Sequence, residues 1–142
     1  MTRIDFYILQ DVELDAMQRF ACRLATKAVF NGNDVYVHAT DDNHARGMDE
    51  LLWQYPDQRF VPHALAGEAI RVPIQIGWQE PADQDDVLIN VSGGVPGFFG
   101  RFDRVAEIVV RSEREAGRDR YKFYRDRGFP LFHHELDDWE AA

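Results

Sequence analysis

Cysteine occurs once in this chain of 142 residues, as Cys22, so no internal disulfide can form. A lone thiol fits a reducing compartment, and the cytoplasm is the expected location. Long apolar runs are missing too. None approaches the ~18 residues needed to cross a bilayer, so no membrane span is expected. The opening Met1-Thr2-Arg3-Ile4-Asp5 is too polar to predict a secretory leader. Cations are scarce: 16 Lys and Arg stand against 25 Asp and Glu, and the net charge is −9. A surface of that sign repels phosphate backbones, which disfavours direct DNA binding by the protein as a whole. Neither G-x-G-x-x-G nor G-x-x-x-x-G-K-[ST] is present, and no G-x-S-x-G marks a nucleophile. Repeats and low-complexity tracts are absent.

What is present is enough for one packed core. Apolar residues make up 45% of the chain and aromatics 13%, which argues against disorder. The length predicts a single domain over residues 1–142. Ile4–Leu9 reads as a first buried strand. Leu14, Met17, Ala21, Leu24 and Ala28 recur at helical spacing behind Asp11, which can cap that helix, and Asn31-Gly32 ends it. Cys22 borders this stripe and reads as a small buried hydrophobe. Asp34–Ala39 is a second strand, followed by a helix from about Asn43 to Gln54 with Ala45, Met48 and Leu52 inward. Strands are also predicted at Pro73–Trp78, Asp86–Val91 and Arg104–Val110, with an edge strand at Pro130–Leu136. Alternating strands and helices predict a single-domain, Rossmann-like α/β fold, a mostly parallel twisted sheet flanked by helices.

Residues 49–68 form a corner of unusual composition. Tyr55-Pro56 stops the second helix, because proline disfavours helical geometry in the residue before it. Phe60-Val61-Pro62-His63 then runs out extended. Trp53 and Phe60 flank the turn, either packed on the domain's own core or exposed as a partner anchor. His63, beside Pro62, reads as a structural hydrogen-bond former.

Leu52-Trp53, then Phe60-Val61-Pro62-His63-x-Leu65-Ala66-Gly67-Glu68, resemble the chi subunit family of the bacterial DNA polymerase III clamp-loader assembly. Asp5-Phe6-Tyr7-Ile8-Leu9 and Arg118-Asp119-Arg120-Tyr121-Lys122-Phe123-Tyr124-Arg125 with Gly128-Phe129 match the same family in the same order. The resemblance implies a non-enzymatic adaptor on a Rossmann-like fold, without a cofactor. It also implies a psi subunit at Trp53 and Phe60, linking the protein to the clamp loader.

A second function class is open on such a fold: a nucleotide-binding enzyme using the loop Ser92-Gly93-Gly94-Val95-Pro96-Gly97 after a strong buried strand. Against it, Pro96 removes an amide donor and no base follows until Arg101. Metal binding is not expected. His133 and His134 are adjacent in a strand and point to opposite faces. Asp41 and Asp42 follow one strand, while Asp83, Asp85 and Asp86 precede another, which places them at opposite edges of a parallel sheet.

The one basic feature is residues 111–127, with seven bases and four acids, a local +3 on a remainder of −12. Arg111, Arg114, Arg118, Lys122 and Arg125 step by three or four and form one stripe along a helix. Phe123 and Ala116 are expected inward, with Tyr121 and Tyr124 bordering the stripe and the strand end near Val110 as an apolar floor. The alternatives are a solvated face or a receiver for acidic, aromatic-ended peptides. The family resemblance implies the second. Arg114, Arg118, Tyr121 and Lys122 fall where the family binds the acidic C-terminal tail of single-stranded-DNA-binding protein, so DNA is reached only indirectly.

Overall fold

Short runs of β-branched and aromatic residues, each ended by a polar or glycine-bearing turn, form the strands. They are β1 (Arg3–Leu9), β2 (Val35–His38), β3 (His63–Leu65), β4 (Ile74–Gly77), β5 (Val87–Asn90), β6 (Arg104–Val109) and β7 (Leu131–Leu136). The helices are α1 (Leu14–Phe30), α2 (Asp42–Gln54) and α3 (Arg114–Asp126), with 3-10 turns at Phe99–Arg101 and Arg111–Glu113. The structure, a computed structural model, describes residues 1–54, 61–68 and 71–140.

One sheet holds all seven strands in the order β3-β4-β2-β5-β6-β1-β7, and every neighbouring pair is parallel. The chain thus adopts the expected Rossmann-like α/β architecture. Alternate strand residues serve opposite faces. Val35, Val37, Val87 and Ile89 join α1 and α2 in one apolar cluster. Phe6, Tyr36, Leu88 and Val105 join Phe99, Phe102 and Tyr124 in another. In α2 the buried residues are Ala45, Met48 and Leu52, as their spacing predicts. Asp41 caps that helix, accepting the His44 N–H at 2.8 Å. Gly32 (φ +90°) follows α1 and Gly128 (φ +79°) follows α3, both in the left-handed region that glycine tolerates best.

Some local expectations are corrected. Asp11 does not cap α1: Glu13 sits at the N-cap without a side-chain bond. Asp11 instead accepts the Trp139 indole N–H at 2.9 Å. Trp139 is buried against Phe20, edge to face at 5.2 Å, so the acidic C-terminal segment carries a core residue. Leu14 is exposed, because the packed stripe of α1 runs through Met17, Phe20, Ala21 and Ala25. His63 opens strand β3 rather than ending the extended run, and it pairs with Ile74.

Asp5 lies almost wholly buried in β1. Arg3 and Arg104 donate to it at 3.1 Å, and His134 Nε2 stands 2.9 Å away. Burial pushes this carboxyl up, but the bonds from His134, Arg3 and Arg104 outweigh it and leave its pKa below the ordinary value. Asp5→Asn should therefore cost about 1.5–3 kcal/mol at neutral pH, the usual range for hydrogen bonds to a charged group. A folded-state pKa below the unfolded one gives stabilisation that is complete above about pH 4 and fades as pH falls through the lowered value. Urea unfolding of parent and variant should show a gap at pH 7 that narrows towards about pH 3.

Candidate functional site

Helix α3 starts just beyond the end of β6, and a glycine in its first turns lets it lie close to the sheet. A Cβ on Gly117 would stand 2.9 Å from both γ-carbons of Val109. Gly117, Arg120 and Tyr124 form the buried side of the helix. Arg120 Nε donates to Glu107 Oε1 at 2.8 Å, Tyr124 donates its hydroxyl to Oε2 at 2.6 Å, and Asn90 Nδ2 donates to Oε2 at 2.9 Å. Glu107 is fully buried. Burial pushes its carboxyl up, while Arg120, Asn90 and Tyr124 hold it back. The Tyr124 hydroxyl is pushed up as well, first by burial and then by Glu107. These bonds fix the roll of α3 about its axis.

With that roll set, Arg111, Arg114, Arg118, Lys122 and Arg125 are all exposed. Arg111 bonds Gln10 at 2.7 Å, and Arg125 pairs with its neighbour Asp126. Arg114, Arg118 and Lys122 have no ion pair or side-chain hydrogen bond among the described residues. A groove of about 340 Å³ opens between α3 and β7, lined by Phe6, Ile8, Val109, Arg114, Gly117, Arg118, Tyr121, His133 and Glu135. The Tyr121 ring is half-buried there, 5.5 Å from Phe6 and 5.1 Å from His133. The arrangement offers two unpaired guanidinium groups over an apolar floor, which suits a carboxylate joined to an apolar side chain.

Three of the four residues predicted for a tail site, Arg114, Arg118 and Tyr121, line this one groove. Lys122 stands on the exposed side of α3 outside the groove lining. Tyr124 does not border the stripe but is wholly buried on Glu107. Phe123 is half-buried beneath the Arg127 guanidinium, 3.5 Å above its ring. The apolar floor is Val109 rather than Val110, because consecutive strand residues face opposite ways and Val110 packs in the α1 cluster. Phe6, Ile8, His133 and Glu135 were not foreseen. They reach the groove only through the pairing of β1 with β7, which no local pattern announces.

At the other end of the sheet, Trp53 closes α2 with 63% of its surface exposed, while the adjacent Leu52 is buried. Its ring meets His63 edge to face at 4.9 Å. His63 Nδ1 lies 2.9 Å from the Val61 carbonyl and Nε2 lies 3.1 Å from that of Asp49, a structural setting as expected. Phe60, the second residue of the predicted partner anchor, lies outside the described residues.

Segment 92–97 is turned inward. Asn90 Oδ1 accepts both the Ser92 N–H and its hydroxyl, and Asn90 Nδ2 donates to the Gly94 carbonyl at 2.8 Å. Arg101, the nearest base, is held by Glu80 at 2.7 Å and by the Pro81 carbonyl at 2.6 Å. Two larger cavities, of about 560 and 520 Å³, touch none of these loop residues. Burial pushes the Cys22 thiol up to about 12, which disfavours the thiolate a nucleophile needs. Among the described residues, no group of three or more His, Cys, Asp or Glu is placed to hold a metal ion. Nor is any helix long and apolar enough to cross a membrane.

The structure thus defines an α/β domain with a cation-walled groove at one sheet edge and an outward tryptophan at the other. The family described as DNA polymerase III chi subunit, HolC, matches residues 1–132. A Pseudomonas aeruginosa protein named DNA polymerase III subunit chi is 42% identical over 139 residues, covering 96% of this chain and 98% of that one. Escherichia coli and Haemophilus influenzae proteins of the same name are each 33% identical, covering 92% and 89% of this chain and 96% and 92% of theirs. The chain belongs to the DNA polymerase III chi subunit family, and membership implies an accessory role in DNA replication.

The close fit of α3 on β6 yields a test. Alanine is the better helix former by up to ~1 kcal/mol, yet crowding a packed contact costs about 1–3 kcal/mol. Gly117→Ala should therefore lower stability by up to about 2 kcal/mol in urea unfolding, the net of those two terms. Val109→Ala in the same chain should remove the clash, visible as coupling in a double-mutant cycle.

Proposed function

We propose that this protein is a non-catalytic adaptor that bridges the clamp loader to the acidic C-terminal tail of single-stranded-DNA-binding protein. The tail occupies the groove between α3 and β7, with its carboxylates on Arg114 and Arg118 and its apolar end over Tyr121, Phe6 and Val109. Lys122, exposed on the next turn, draws the acids that precede the end. A psi-type subunit docks on Trp53 and Phe60, of which Trp53 stands beside the other sheet edge. DNA is reached through these partners, in the cytoplasm, by one domain without a cofactor. The observation that carries the reading is a pair of unengaged arginines over an apolar floor on a protein of net charge −9. Joining two modest contacts through one rigid body raises effective concentration, which is all that an adaptor needs. Nucleotide chemistry at 92–97 is less favoured, since Asn90 already takes up that turn's polar groups.

Titration with a fluorescent acidic peptide that ends in a free carboxylate tests the groove. A partly desolvated charge pair costs about 2–5 kcal/mol when one side is truncated, against ~0.2–1 kcal/mol for an exposed pair. Arg118→Ala should reduce affinity about thirtyfold or more, the lower end of that range. Arg118→Lys should restore part of it, since an ammonium cannot grip two oxygens. Affinity within twofold of the parent for Arg118→Ala would remove the groove from the proposal. Trp53→Ala should leave the peptide affinity unchanged and the protein folded while abolishing capture of a psi-type partner. Loss of folding instead would assign Trp53 to the core.

A further inference from the structure

The two walls of the groove carry opposite charge. Arg114 and Arg118 stand on α3, whereas the facing strand β7 contributes His133 and Glu135. The register places His133 beside Phe6 and Glu135 beside Ile8, so both project on the side of the sheet that forms the floor. Glu135 is exposed, and no ion pair joins it to either arginine among the described residues. This places an unpaired carboxylate on the wall opposite the two arginines. Such a residue cannot raise affinity for an acidic ligand, and discrimination commonly relies on a repulsive element of this kind.

We propose that Glu135 is a specificity-determining residue that fixes the direction in which an acidic peptide lies in the groove. This rests on the reading of the groove as an acidic-peptide site. A peptide whose terminal carboxylate meets Arg114 and Arg118 can carry its preceding acids along α3, towards exposed Lys122 and Arg125. The reversed peptide sets those acids over β7, against Glu135, where like charges across a partly desolvated gap are unfavourable. The groove thus accepts a free C-terminal end and rejects an internal acidic run of the same composition. His133 sits against Tyr121 and Phe6, and so fills the rest of the β7 wall without adding a second carboxylate.

The test uses the full chain and an N-terminally labelled synthetic peptide of alternating Asp and Gly ending in Phe, as the free acid and as the C-terminal amide. Glu135→Gln should bind the free acid about two- to fivefold more tightly at low salt, the range expected for one exposed charge. Glu135→Lys should bind it about tenfold more tightly, and the preference for free acid over amide should fall by about threefold or more as the reversed pose becomes acceptable. Asp83→Asn, which removes one charge from a distant loop, should leave both values within error of the parent. An unchanged acid-to-amide ratio in Glu135→Lys, or Glu135→Gln binding no tighter than Asp83→Asn, overturns the assignment while leaving the groove reading intact. Failure of the parent protein to bind the free acid at all overturns both.

Discussion

The face that α3 presents to solvent depends on one buried carboxylate. Glu107 has no access to water and accepts from Arg120, Tyr124 and Asn90, which come from α3 and β5. An ionised group in such a place is tolerated only when its hydrogen-bonding capacity is met, and truncating one member of a buried pair commonly costs about 3–5 kcal/mol. The same carboxylate ties the helix to the middle of the sheet and, through Asn90, to the turn at Ser92–Gly94. An α-helix advances about 100° per residue, so a slip of one position around its axis would carry Arg118 off the groove wall. The polar bonds beneath the helix, together with the glycine contact on Val109, remove that freedom.

The sheet determines where the two surfaces lie. Strands β3 and β7 are its outer members, and six inter-strand spacings of roughly 4.8 Å separate them by about 30 Å. Helix α2 and Trp53 pack beside β3, while the groove is built on β1, β7 and α3. The groove and Trp53 therefore stand well apart on one rigid body. The charge pattern works in the same direction. Exposed charges are screened beyond about 8 Å at physiological salt, so the acidic body does not cancel a local cluster of arginines at contact distance. It still discourages non-specific association with nucleic acid.

Much of the fold was legible because its signals are local. Runs such as Val87–Asn90, the inward triad Ala45, Met48 and Leu52, and the glycines after α1 and α3 state their own conformations. The arginine stripe was legible for the same reason, since exposure at three- and four-residue spacing is a property of one helix. Arg120 shows the limit: its chemistry equals that of Arg118, and only its partner makes it a core residue. A signal existed in Glu107, an acid inside the apolar strand sequence Val105-Ala106-Glu107-Ile108-Val109, which demands a buried cation. The β7 wall carried no such signal. His133 and Glu135 became groove residues through pairing with β1, a contact between the two ends of the chain. Trp139 was hidden similarly, because an acidic terminal segment gives no hint that its indole will reach Asp11.

The place of β1 in the sheet has a consequence for the order in which the molecule assembles. Strand β1 is made before both of its neighbours, β6 and β7, so Arg3 waits for Arg104 and Ile4 for Leu131. At ordinary elongation rates that wait is roughly 5–20 s of synthesis. Meanwhile β2, β4 and β5 can pair as soon as they emerge, and α1 can cover them. Strand β1 must stay unpaired until β6 emerges, with Phe6, Ile8 and Leu9 uncovered. Contacts of such high sequence separation slow folding, because the loop must close before any of them forms. The groove built on β1 is therefore among the last features of the nascent protein to exist.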